Sequence, residues 1–127
     1  MRGQATEEFM VVLSALLLLF YIFYTLYIGQ ISTSHSAMDR LKAASIAGGI
    51  RSAINYVYLA GDGAVYNATI AFGNRPMDVL VSGGTVSVMS DVTSYSLPLL
   101  TDNMNATSIS QGGIGIRNNG GAIEIYQ

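Results

Sequence analysis

Residues 9–28 read FMVVLSALLLLFYIFYTLYI, twenty positions without a charge, interrupted only by the hydroxyls of Ser14 and Thr25. A helix of that length reaches ~30 Å at ~1.5 Å per residue, the thickness of a bilayer's hydrocarbon core. A helix on the surface of a soluble domain keeps a polar stripe, whereas this one is apolar all round. Both hydroxyls can bond back to carbonyls one turn earlier in their own helix. The segment therefore needs lipid, or other helices on every side. A cleaved secretory signal fits poorly, because the basic leader is only Met1-Arg2-Gly3, Glu7 and Glu8 follow it, and no small-residue cleavage site follows the apolar run. Arg2 favours a cytoplasmic N-terminus.

Towards the C-terminus the helical rhythm continues past Gly29. Ile46, Ile50, Ile54 and Val57 are spaced four, four and three, which is one helix face. Asp39, Arg40, Lys42 and Arg51 are expected elsewhere on the wheel. The pair Gly48-Gly49 costs about 1 kcal/mol per glycine relative to alanine. It reads either as a kink or helix end, or as bare backbone on which a neighbouring helix packs. Gly61-Asp62-Gly63 is the stop. A helix over 7–60 would be ~80 Å long, too long for a globule of 127 residues, so it needs neighbours.

Composition agrees with a chain of two unlike parts. Half the residues are apolar and 11% are charged, against about a quarter charged in soluble domains. Six basic and eight acidic side chains give a net charge of −2, which excludes nucleic-acid binding driven by phosphate neutralisation. The lack of cysteine excludes disulfides, thiolate metal sites and cysteine nucleophiles. The lone histidine, His35, excludes a multi-histidine metal site. Ten of the fourteen glycines lie from Gly61 onward.

Upstream of the apolar run stands Arg2-Gly3-Gln4-Ala5-Thr6-Glu7-Glu8-Phe9. These residues resemble the class III signal sequence of archaeal type IV pilins, with Gly3, Gln4, Thr6, Glu8 and Phe9 as the matching positions. Thr6 stands where serine is commoner, and the leader is very short. The resemblance covers residues 2–28 and is silent on the rest. It implies removal of residues 1–3 by a membrane prepilin peptidase cutting between Gly3 and Gln4 on the cytoplasmic side. Glu8 then becomes the fifth residue of the mature chain, the position where these pilins keep a glutamate, with Phe9 opening the helix that assembles. A lone carboxylate ahead of an apolar helix is costly to bury, and the freed α-amine of an adjacent subunit would neutralise it. Glu7 and Glu8 are also expected in the first helical turn, where the macrodipole favours each by ~0.3–1 kcal/mol.

The resemblance further implies a structural subunit of a pilus. Its precursor sits in the membrane, served by the pilus assembly machinery. The subunits polymerise through the N-terminal helix into a homo-oligomeric, helical, extracellular filament used for adhesion to surfaces or other cells. Burying each large apolar side chain contributes ~1.5–3 kcal/mol, and a head-to-tail contact that does not close on itself gives a filament. Two other classes share the apolar helix. One is a single-pass membrane-anchored surface protein with an external β binding domain. The other is an archaellin of the swimming filament, for which 127 residues is short. Phe20, Tyr21, Phe23, Tyr24 and Tyr27 suit either an interfacial aromatic belt or packing between subunits.

From residue 62 the pattern changes to alternation broken by turns. Strands are expected over 65–72, 77–81, 85–89 and 92–97, the last ended or pushed to an edge by Pro98. The clearest hairpin pairs Ile114 and Ile116 with Ile123 and Ile125 across Asn118-Asn119-Gly120-Gly121. The expected fold is α+β: a long hydrophobic helix over residues 4–61, then a small all-β sandwich or barrel-like head over 62–127. About 65 residues is marginal for a lone domain, so packing on the helix should complete it. The sequons Asn67-Ala68-Thr69 and Asn105-Ala106-Thr107 make Asn67 and Asn105 candidate N-glycosylation sites on an external domain. No enzyme constellation is expected, and no cofactor or metal. Gly112-Gly113-Ile114-Gly115 lacks the lysine of a phosphate loop, and Asp62, Asp78, Asp91 and Asp102 stand singly at turn positions.

Overall fold

The apolar run lies inside one helix, α1 (Arg2–Ala60), of 59 residues. The structure is a computed structural model that describes residues 2–73 and 76–127, with side chains from residue 5 onward. Asn74 and Arg75, the centre of an expected turn, lie outside the described residues. The Ser14 hydroxyl donates to the Met10 carbonyl at 2.7 Å and that of Thr25 to the Ile22 carbonyl at 2.8 Å. The Ser14 and Thr25 hydroxyls are thus both satisfied within their own helix. Because α1 begins at Arg2, Glu7 and Glu8 fall in its second turn, and no acidic residue occupies the first. The macrodipole benefit expected for them fades within the first turn, so it does not account for the pair. The helix runs through Gly48-Gly49 without a break in hydrogen bonding and ends where glycine permits it. Gly61 has φ +92°, and its N–H donates to the Tyr58 carbonyl at 3.3 Å.

The chain divides into two units, Met1–His35 and Ser36–Gln127. In the first, every described side chain is exposed. The second holds the end of the helix together with seven strands, among the described residues. These are β1 (Val65–Ile70), β2 (Asp78–Ser82), β3 (Thr85–Met89), β4 (Ser94–Pro98), β5 (Thr107–Ile109), β6 (Gly112–Asn119) and β7 (Ala122–Tyr126). They form two antiparallel sheets, three-stranded in the order β1-β6-β7 and four-stranded in the order β4-β3-β2-β5. The α+β expectation therefore holds, and the head is two small sheets instead of a closed barrel. Pro98 closes β4, an edge strand where its missing N–H costs no ladder bond. The short β5 was not expected from the sequence.

One core joins helix and sheets. Ala43, Ala47, Ile50, Ala53, Ile54 and Val57 are buried on α1, with Ile46 partly so. Their spacing of three and four marks a single face. Asp39, expected off this face, continues it one turn before Ala43 and is 7% exposed. Register Val79↔Val88 and Val81↔Val86 places four valines side by side on the inner face of the second sheet. Ile114 and Ile116 of β6 and Ile123 of β7 supply the inner face of the first.

A single asparagine fastens the helix end to the last hairpin. Asn118 is 3% exposed. Its Nδ2 lies 3.4 Å and 3.5 Å from the carbonyls of Val57 and Tyr58, in the last turn of α1 where carbonyls lose their regular helical partners. Its Oδ1 accepts from the Gly121 N–H at 2.8 Å. Its backbone pairs with Ala64 and Gly63 at 2.9 and 3.0 Å. Asp62 adds a second tie, its Oδ1 accepting from the Gly120 N–H at 2.6 Å.

Candidate functional site

Two surfaces carry the residues singled out from the sequence. The first is the helix surface ahead of the core. Every side chain from residue 5 to residue 38 is exposed. The helix is long and apolar enough to cross a membrane by length and composition. Glu8 and Phe9 are both exposed there, Phe9 at 64%. Gly3 and Gln4, the expected cleavage junction, lie outside the residues whose side chains are described. Phe20, Phe23, Tyr24 and Tyr27 fall within about 100° of one another on the wheel at ~100° per residue, and all are exposed. They form a stripe, while Tyr21 stands off it.

The second surface is the outer face of the three-stranded sheet. Strand alternation points Ile114, Ile116 and Asn118 of β6 inward and Gly113, Gly115 and Arg117 outward. Cross-strand partners share a face, so register orders the outer residues in rows. Asn67 pairs with Gly115, which pairs with Tyr126. Thr69 pairs with Gly113. Val65 pairs with Arg117, which pairs with Glu124. Arg117 Nη2 donates to Glu124 Oε2 at 2.6 Å, and Asn119 Nδ2 donates to Glu124 Oε1 at 3.0 Å. The Asn119 bond, then the Arg117 bond, hold the Glu124 carboxyl below its ordinary range, and the same ion pair raises Arg117.

Both sequon asparagines are exposed and border this face. Asn67 stands on β1. Asn105 precedes β5 and lines a depression shared with Thr107, Arg117, Glu124 and Tyr126. The Thr107 hydroxyl donates to the Asn105 carbonyl at 3.3 Å. Sequence reasoning found the asparagines and missed Tyr126, which lines this depression and a second one bounded by Asn67, Thr69, Gly113 and Gly115. The signal lies in Gly113 and Gly115, residues opposite the first sequon that carry no side chain, but it can be read only once register is known.

The four aspartates do not converge. Among the described residues no group of three or more His, Cys, Asp and Glu side chains gathers as a metal site. A cavity of about 310 Å³ between α1 and β1 is lined by Ile46, Gly49, Ile50, Ala53 and Ile70, together with Ser45, Tyr66 and Thr69. Its walls hold no carboxylate, imidazole or amine. No family model, curated protein or solved structure matches the chain.

Proposed function

We propose that this chain is a structural subunit of an archaeal type IV pilus, made as a membrane-inserted precursor and assembled through its N-terminal helix into an extracellular adhesive filament. The observation that carries this reading is a helix whose described side chains from residue 5 to residue 38 are all exposed and add nothing to the core, while residues 9–28 are free of charge. So much apolar surface is not stable in water. Lipid covers it before assembly, and a bundle of identical helices covers it afterwards. The class III resemblance at residues 2–9 favours the filament over a permanent anchor, because it supplies a cut after Gly3 and a carboxylate at Glu8 to meet the freed amine. The β head then faces outward, with Asn67 and Asn105 open to glycosylation.

The test is the intact mass and N-terminal sequence of protein in fibres sheared from cells. An N-terminus at Gln4 in fibres that pellet without detergent is the expected result. An intact leader in detergent-soluble protein, with no fibres, would point instead to a single-pass anchored surface protein.

A further inference from the structure

We propose that the outer face of the three-stranded sheet is a built platform for carbohydrate, occupied by the first sugar ring of a glycan attached to this chain's own Asn67. The inference rests on the external, glycosylated head of the preceding section and adds what holds the sugar. Asn67, Gly115 and Tyr126 form one row across β1, β6 and β7, all on the outer face. Neighbouring residues in such a row are about 4.5–5.5 Å apart. The Tyr126 ring folds back over the sheet. It lies across β6, so that a Cβ added at Gly115 would fall within the ring. This cover explains why Gly115 is buried while its side of the sheet is open. The ring thus reaches towards Asn67 and remains half exposed, at 49%.

The next row supplies the space. Thr69, the third residue of the sequon, faces Gly113, and a Cβ added at Gly113 would meet nothing within 4 Å. The result is an open depression of about 340 Å³ bounded by Asn67, Thr69, Gly113, Gly115 and Tyr126. That is the lower end of the range for small-molecule sites, ~300–1,000 Å³, and suits a single pyranose. Its composition also suits one. An aromatic face takes the apolar C–H side of a sugar ring, and the hydroxyls of Tyr126 and Thr69 meet sugar hydroxyls as donor or acceptor. Nothing of this chain fills the depression, and a sugar on Asn67 would be tethered at its rim. Tethering makes docking intramolecular, so even a weak contact is populated. The docked ring would also cover β1, an edge strand open to stray pairing.

A thermal double-mutant cycle on the full glycosylated chain in detergent tests this. Intact mass first establishes occupancy. The Asn67→Gln variant should weigh one glycan less than the parent. Melting followed at the β-sheet signal then compares parent with Asn67→Gln, once with Tyr126 present and once in a Tyr126→Ala background. Loss of the glycan should lower Tm by about 4–8 °C when Tyr126 is present, the shift that one modest contact gives a domain of this size. In the Tyr126→Ala background the same glycan loss should leave Tm unchanged. Tyr126→Phe, which keeps the ring and loses only its hydroxyl, should keep most of the parent's Tm difference. Gly113→Val, which fills the depression without touching the ring, should behave like Tyr126→Ala. Equal Tm losses in both backgrounds would overturn the platform and leave glycosylation standing. An unmodified Asn67 would overturn both.

Discussion

Asn118 joins parts of the chain that lie 60 residues apart. Its amide serves helix carbonyls and a hairpin N–H together while almost wholly buried. Removing one partner of a buried hydrogen bond leaves the others unsatisfied, at ~1–3 kcal/mol. Asn118→Ala should therefore destabilise the head by about that much in denaturant unfolding. Exposed Ser108→Ala should shift stability by less than about 0.5 kcal/mol. Equal midpoints for the two variants would refute the clasp. On the outer face, Glu124 offers a pH test. Its folded pKa lies below the ordinary value, chiefly through Asn119 and then Arg117. A carboxyl depressed in the folded state adds stability above its unfolded pKa and loses it as pH falls through the folded one. Asn119→Ala should raise the Glu124 pKa in an NMR titration, and an unchanged value would remove Asn119 as the main cause. Neither asparagine was legible beforehand. Both look like turn residues in Asn118-Asn119-Gly120-Gly121, and only the approach of the helix end and of Glu124 gives them separate tasks.

At the scale of elements, periodicity was enough for what packs locally and insufficient for what packs across distance. The stripe through Ile46, Ile50, Ile54 and Val57 is the buried face of α1, and in the last hairpin Ile116 pairs with Ile125, whereas Ile123 faces Asn118 and Ile114 faces Ala68. Three-residue β5 escaped because it is too short to show a period and exists through its pairing with β2. Asp39 was misplaced because a charged residue is assigned to the wet side unless a partner surface is known. The glycine pair of α1 remains the element's weak point. Both residues are helical with negative φ, and an added Cβ at either meets nothing within 4 Å. Gly48→Ala should accordingly stabilise the head by ~0.4–1 kcal/mol through loss of unfolded-state freedom. A destabilised Gly48→Ala variant, measured by thermal or denaturant melting, would mean that the bare backbone is needed within the fold itself.

At the scale of the molecule, the buried core residues among those described lie between Ala43 and Ile123, while the first 35 residues form a unit with no buried side chain among those described. A fragment of residues 36–127 should therefore be soluble and monomeric without detergent, with the β-sheet spectrum intact. Aggregation of that fragment would show that the head needs the apolar segment after all. On the proposed pilus reading, stability of the head and assembly of the filament are then separable properties, and Glu8 is where they separate most sharply. Glu8 is exposed and belongs to the unit Met1–His35, which supplies no residue to the core described above. Charge at this point is costly inside an apolar bundle unless an opposite charge meets it. If the amine of a neighbouring subunit does so, the pairing fixes the axial step between subunits as each leaves the membrane. Glu8→Ala should then leave the head's melting temperature unchanged and the protein in the membrane fraction, while filaments disappear from sheared preparations. Glu8→Gln, which keeps the shape and removes the charge, should fail in the same way. Normal filaments from either variant would show that the register is set by helix packing alone.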